Sequence, residues 1–306
     1  NKVIVTGGAG FVGSNLVDYL VEKNIEVIVF DDLSTGKKEN LNKNAIFHKL
    51  DISNLYPNSN LLKSIMSDLN GIDIIFHVAA KARVQPSIED PISYNAVNVN
   101  GTLNMLHLAK ELNVKRFVYS ASSSAYGDAK IFPTPETHST NPISPYGLQK
   151  FIGEQYCKVF SLVYGLDTVS LRYFNVYGER MLLEGAYCLV IGAFAKQLIE
   201  GKKMRINNDG EQRRDFTYVG DVVNANFLAA TNFKEFKGES LNIGNGSNFS
   251  VNEVAAMFGG EKTKGQEVLE PFETLSDSSK AKEILGWSPK GNLASWIEKY
   301  KADLKI

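Results

Sequence analysis

Cysteine is nearly absent: Cys157 and Cys188 are the two in 306 residues. A chain of this length buries roughly three quarters of its unfolded surface, so it needs no covalent staple. Two cysteines fit neither a disulfide framework nor a zinc site. The four histidines, His48, His77, His107 and His138, are scattered without ligand spacing, so no metal is expected. An excess of charge is missing too, with 33 Lys and Arg against 34 Asp and Glu and a formal charge of -1. Nucleic-acid binders carry a basic surplus, so no nucleic acid is expected as a partner. Long apolar runs are also lacking: 189–195 is far shorter than the roughly 20 residues a membrane helix needs, so no membrane partner is expected. Nothing before the first strand reads as a signal peptide, and the expected setting is cytoplasmic and reducing.

What is present is a regular alternation. Runs rich in Val, Ile and Phe at 2–6, 26–30, 45–48, 73–78, 116–120 and 167–174 read as strands. Helical spacing falls between them at 11–22, 102–112 and 146–164. Continuous apolar strands separated by helices imply βαβ units and a parallel sheet covered on both faces. Right-handed crossovers make it an α/β, doubly wound sheet. Beyond Asn175 the rhythm breaks. Helices are predicted at 190–200, 221–231, 279–285 and 293–301, with short strands near 204 and at 241–243. The expected division is a nucleotide-binding domain of 1–173 and 215–241, with a smaller substrate-binding lobe of 174–214 and 242–306.

Gly7, Gly10 and Gly13 form G-x-x-G-x-x-G directly after the first strand and at the start of the first helix. Glycines there allow a tight turn, close approach of backbone to a pyrophosphate, and close helix–sheet packing. The helix N-terminus offers free N–H groups to phosphate. The second strand ends in Asp31, eighteen residues after Gly13. A carboxylate there accepts hydrogen bonds from a ribose 2′-hydroxyl. Asp31 and Asp32 would repel a 2′-phosphate, which favours NAD over NADP. Asp51 and Ile52, at the end of the third strand, read either as flanking the adenine or as an ordinary strand end.

Tyr146-Gly-Leu-Gln-Lys150 puts a phenol and an ammonium at i and i+4, on one helical face. Free tyrosine titrates near 10, so it is a poor base at neutral pH unless nearby positive charge favours the phenolate. Ser122-Ser-Ser124 follows the fifth strand, where active-site groups of an open α/β sheet collect. Ser122 there can bond both the phenol and a substrate oxygen, so the cluster suits proton transfer. His77 reads as a satisfied core residue.

These motifs together resemble the extended short-chain dehydrogenases/reductases, on the nucleotide-sugar (UDP-glucose/UDP-N-acetylglucosamine) 4-epimerase branch. The similarity runs through Thr6-Gly-Gly-Ala-Gly-Phe-Val-Gly13, His77-Val-Ala-Ala80, Asn98-Val-Asn-Gly101, Ser120-Ala-Ser-Ser-Ser-Ala-Tyr-Gly127, Ser144-Pro-Tyr-Gly-Leu-Gln-Lys150 and Leu171-Arg-Tyr-Phe-Asn-Val-Tyr-Gly178. It continues through Arg214-Asp-Phe216, Asn242-Ile-Gly244 and Ser279-Lys-Ala281. The resemblance implies a Rossmann-type sheet, NAD, a UDP-sugar substrate and a homodimer paired through 102–112 and 146–164. It implies that Ser122, Tyr146 and Lys150 are catalytic, with Lys150 also on the nicotinamide ribose. By the same resemblance Phe11 and Val12 meet the pyrophosphate and Val78, Ala79 and Ala80 the adenosine side. Asn98 stands behind the nicotinamide and Phe174 beside it. Ser123, Ser124, Asn175, Arg214 and Thr274 fall to the substrate. The implied reaction moves the C4 hydride to NAD and returns it to the other face of a 4-keto sugar.

The chain also departs from the pattern. Eight residues before Leu275 the family usually has an Arg that clasps the diphosphate; Glu267 stands there, leaving Arg205 or Arg213 to substitute. Asn207 takes the place of an aromatic that often stacks on the base. Thr274 stands where a bulky Tyr restricts the pocket to glucose and galactose, and Gly185-Ala-Tyr187 is similar to a segment of N-acetylhexosamine epimerases. Both features point to room for a 2-acetamido group. Related sugar dehydratases and decarboxylases place an acid beside the catalytic Ser; Ser123 and Ser124 supply none. A UDP-glucuronate 4-epimerase or another NAD-dependent nucleotide-sugar enzyme stays open. A catalytically silent NAD-sensing protein is disfavoured by the intact Ser122, Tyr146 and Lys150.

Overall fold

A computed structural model describes residues 1–183 and 189–306, so Cys188 and the Gly185-Ala-Tyr187 segment lie outside the described residues. The first half alternates as expected. Its strands are β1 (Lys2–Thr6), β2 (Glu26–Asp31), β3 (Ile46–Lys49), β4 (Ile74–His77), β5 (Arg116–Ser122) and β6 (Thr168–Tyr173). Its helices are α1 (Phe11–Glu22), α2 (Asn60–Ile65), α3 (Val84–Glu89), α4 (Pro91–Asn95), α5 (Thr102–Glu111) and α6 (Pro145–Tyr164). The second half carries short strands β7 (Val176–Tyr177), β8 (Met204–Ile206), β9 (Arg213–Asp215), β10 (Thr217–Tyr218), β11 (Glu239–Ile243), β12 (Asn248–Ser250) and β13 (Lys262–Lys264). Its helices are α7 (Val190–Ile199), α8 (Val219–Thr231), α9 (Val251–Phe258), α10 (Ser279–Leu285) and α11 (Leu293–Leu304).

Seven strands form one parallel sheet in the order β11-β6-β5-β4-β1-β2-β3. Successive side chains of β1 feed opposite faces, as strand geometry requires. Val3 and Val5 join a core with Leu16 of α1 and Val222 of α8. Ile4 joins the other core, with Met105 of α5 and Phe160 of α6. Both faces are therefore covered, which is why the strands are apolar throughout. A third core, built by α7, β8, α9 and α11, makes the smaller lobe. Ala281, Leu285 and Trp287 pack into the first of these cores. The sequence-based division places 242–306 in the lobe, but 281–287 pack on the sheet side.

The strand order reverses between β1 and β4, the switch point where ligands of open α/β sheets bind. β5 and β6 deliver the Ser and Asn motifs to the same edge. One buried network ties this edge together. Arg172 of β6 pairs with Glu154 of α6 through two contacts, one of them Nε to Oε2 at 2.9 Å. Its Nη1 donates to the Tyr126 hydroxyl at 2.8 Å, and that hydroxyl donates to Asn242 Oδ1 at 2.7 Å. Asn242 Nδ2 in turn donates to the Thr134 and Asp277 carbonyls. Helix, strand and the segment leading to Thr274 are thus fixed by one ion pair.

Candidate active site

A cavity of about 750 Å³ runs along this edge, from the glycine-rich turn to the lobe. At one end Gly7 turns with φ 72°, and a Cβ there would meet Ala79 Cα at 2.9 Å. A Cβ on Gly13 would collide with the Gly7 carbonyl. Both positions therefore need glycine for α1 to come this close to the strand ends. Gly10 caps α1 with no side-chain hydrogen bond, and Gly10, Phe11, Val12 and Gly13 all line the cavity. The first-turn amides and the positive end of the helix dipole are thus presented to an anion.

Asp31 closes this end. Its Oδ2 accepts from Ala9 N at 2.9 Å and its Oδ1 from Leu33 N at 2.8 Å. Burial pushes its carboxyl above the usual carboxylate range, and Asp32 adds to that. Asp32 Oδ1 holds Ser34 N at 2.8 Å. Asp51 Oδ1 holds Ser53 N at 2.8 Å. Asp31, Asp32, Asp51 and Ile52 all stand on the cavity wall, as do Val78, Ala79 and Ala80.

The wall at 78–80 is held from behind. The Thr6 hydroxyl accepts from Val78 N and Ala79 N, each at 3.0 Å. Its own proton then goes to His77 Nδ1 at 2.8 Å. His77 Nε2 is left to donate to Thr102 Oγ1 at 2.9 Å, and that hydroxyl donates to the Asn98 carbonyl at 2.7 Å. Burial pushes His77 down to about 3, so it is neutral at physiological pH and structural, as the sequence suggests. Asn98 bonds Lys81 N and O and Gln149 Oε1, and it stands behind the cavity wall. Phe174 is also off the wall: it is fully buried against Tyr126, and Tyr173 faces the cavity in its place. The expected Phe174 contact beside the nicotinamide is thereby corrected. Adjacent residues at a strand end point to opposite sides, and Tyr173 takes the cavity side.

At the middle of the cavity Ser122, Ser123, Ser124, Tyr146 and Lys150 come together. Pro145 opens α6, and the Ser144 side chain caps it by accepting from Gly147 N at 3.0 Å. That cap puts Tyr146 in the first turn and Lys150 one turn on. Tyr146 N is also held by Ser87 Oγ at 3.1 Å. Burial raises the Tyr146 phenol above its usual range, while the Ser122 hydrogen bond and the charge of Arg83 pull it back. Lys150 Nζ donates to the Ser120 carbonyl at 2.8 Å, and burial lowers its pKa to about 7. Sequence reasoning finds Ser122, Tyr146 and Lys150 but not Arg83, which no motif distinguishes.

The lobe end carries Asn175, Arg214 and Thr274 on the wall. Asn175 Nδ2 donates to Thr274 Oγ1 at 3.3 Å. Thr274 Oγ1 also accepts from Asp215 N at 3.1 Å. Arg214 pairs with Glu270, which sequence reasoning misses. Of the two candidates for the absent arginine, Arg205 lines the cavity. Arg213 is turned to Asn248 at 2.9 Å and Glu253 at 2.9 Å. Glu267 is exposed and off the wall, so its charge does not face the substrate end.

A doubly wound sheet with a glycine-lined helix N-terminus at its switch point, and a Ser, Tyr and Lys cluster beyond it, defines a short-chain dehydrogenase/reductase-type enzyme. The sequence profile of the "NAD dependent epimerase/dehydratase family" matches residues 3–244, and the chain belongs to that family. It is 33% identical over 317 residues to a UDP-glucose 4-epimerase of Mycolicibacterium smegmatis, covering 97% of this chain and 96% of that one. Among solved structures, the UDP-glucose 4-epimerase of Thermotoga maritima with UDP-glucose has a TM-score of 0.92 at 38% identity, covering 99% and 100% of the two chains. The UDP-N-acetylglucosamine 4-epimerase of Methanobrevibacter ruminantium, in complex with UDP-N-acetylmuramic acid, has a TM-score of 0.88 at 32% identity, covering 99% and 98%. The protein is an enzyme, an epimerase, and NAD is its cofactor. Among the described residues, no helix is long and apolar enough to cross a membrane.

Proposed function

We propose that this enzyme epimerises a UDP-hexose at C4. The observation that carries the reading is the convergence of Tyr146, Ser122 and Lys150 on one cavity that also holds the glycine-rich turn and Arg214. Gly7 and Gly13, where a Cβ would collide, fit a dinucleotide pyrophosphate at the α1 terminus, and Asp31 fits a free ribose 2′-hydroxyl. NAD, when bound, supplies reversible hydride transfer at C4, through which the sugar becomes a 4-keto form and returns with either configuration.

The chain's own residues position and move the proton. Tyr146 takes the proton from the 4-hydroxyl and gives it back. Ser122, bonded to the phenol, links it to the sugar oxygen. Lys150 orients the nicotinamide ribose. Asn175 and Arg214 hold the diphosphate, and Arg205 adds a second cation on the wall. Ser123 and Ser124 carry no acid, so the 6-hydroxyl has no proton donor for elimination. A reducing, cytoplasmic setting belongs to this reading, supported by Cys157 as a buried free thiol. So does a homodimer through α5 and α6, supported by Leu162 (84% exposed) and Val163 on the outer side of α6.

The sugar pocket further suggests that UDP-N-acetylglucosamine and UDP-N-acetylgalactosamine are accepted at least as well as UDP-glucose and UDP-galactose. Thr274 leaves space that a tyrosine ring would fill, and overpacking costs about 1–3 kcal/mol. Thr274→Tyr is accordingly expected to lower kcat/KM for the N-acetylated pair roughly 10-fold or more relative to the other pair. Steady-state kinetics with both pairs decide it. A parent strongly preferring the non-acetylated pair, or an unchanged ratio in the variant, would refute the assignment.

A further inference from the structure

The corner of the cavity that holds Tyr146 and Ser122 to Ser124 also has Arg83 on its wall. Arg83 borders the start of α3 with φ 87° and ψ 143°. Side chains meet steric resistance in that backbone region, and glycine does not. A glycine at 83 would take the same turn freely, so what the strained backbone retains there is the guanidinium. The other cations of this corner are engaged in the frame. Lys81 Nζ donates to Ser93 Oγ at 2.8 Å and lies over the Tyr94 ring. Lys150 Nζ is on the Ser120 carbonyl. Arg83 stands close enough to Tyr146 for its charge to act on the phenol.

With the 4-hydroxyl at Tyr146, the ring carbons next to the reacting centre are C3 and C5. A neutral hexose offers a guanidinium there only hydroxyls. A carboxylate on C5 offers two coplanar oxygens that match the planar N–H fork, in charge-assisted bonds stronger than those to a hydroxyl. We propose that Arg83 is a specificity-determining residue that binds a carboxylate on C5 of the hexose, so that the preferred substrate is a UDP-hexuronate. This rests on the 4-epimerase reading. A C2 acetamido group lies across the ring from C5, so the demands of Thr274 and Arg83 are separate.

The test compares kcat/KM for UDP-glucuronate and UDP-glucose in the parent, Arg83→Ser and Arg83→Lys, with UDP-N-acetylglucosamine as a third substrate. The parent is expected to favour UDP-glucuronate about 10-fold or more. Arg83→Ser is expected to lower that ratio about 10–100-fold. Arg83→Lys falls between, because lysine keeps the charge and loses the fork. If Arg83 serves only Tyr146, its replacement shifts the acid limb of the pH–rate profile equally for both substrates. The ratio then stays constant and the proposal is overturned. Turnover of UDP-glucose or UDP-N-acetylglucosamine without turnover of UDP-glucuronate also overturns it, while leaving the epimerase reading intact. Epimerisation of none of the three would remove the reading beneath it. Should Arg83→Ser not fold, the parent's preference and the Arg83→Lys ratio decide the matter.

Discussion

Tyr146→Phe is expected to lower epimerisation by about 10²–10⁴-fold or more, the usual cost of losing a positioned acid–base group. The variant removes one oxygen and keeps the ring, so the α6 cap at Ser144 and the Tyr146 N bond to Ser87 persist. Thermal stability and NAD(H) content of the purified protein should therefore match the parent. The deprotonated phenol is the only proposed carrier of the 4-hydroxyl proton; Ser122 without it is a hydroxyl of ordinary basicity. Turnover, melting temperature and bound NAD(H), measured on the same preparation, check this. Near-parental turnover would remove Tyr146 from the mechanism. A loss of NAD(H) would make its role structural.

Glu154→Ala is expected to destabilise the fold by about 3–5 kcal/mol, because it leaves Arg172 as an unpaired buried charge. Both side chains are almost fully buried. Tyr126, which accepts from Arg172, is also the donor to Asn242, which holds 134 and 277. Loss of the carboxylate therefore loosens the segment that carries Thr274 as well as the contact between α6 and β6. Against total stabilities of roughly 5–15 kcal/mol for native proteins, this is a large fraction. Urea unfolding monitored by circular dichroism gives the midpoint. Replacing both partners, Glu154→Met with Arg172→Leu, should recover much of the loss, since an apolar pair leaves no stranded charge. A single variant within about 1 kcal/mol of the parent would contradict the role assigned to the pair.

The sheet and the cofactor end were legible because their signals are local. Apolar runs at β1, β2, β4 and β5 and the three glycines act within a few residues of one another, and α6 announces itself through Pro145 and Tyr146. The lobe was harder. Helix α9 went unpredicted although its Ser250 and Glu253 form a capping box whose two residues are readable in sequence. The 281–287 segment was assigned to the wrong core because nothing local says which apolar face Trp287 meets. Phe174 was placed by motif where strand alternation put Tyr173. Arg83 and Glu270 escaped because their importance is positional. Each lies in a connection without periodicity, and only the tertiary fold brings Arg83 to Tyr146 and Glu270 to Arg214.

The central claim is tested most directly by incubating the purified enzyme, without added reductant, with UDP-glucose, UDP-N-acetylglucosamine and UDP-glucuronate, and following each by proton NMR. The account predicts a C4 epimer from at least one of them. The same equilibrium mixture should be reached from either epimer, with no net NADH and no loss of carbon or of the 6-hydroxyl. Formation of a 4-keto-6-deoxy sugar or a pentose, or no C4 epimer from any of the three, would contradict it.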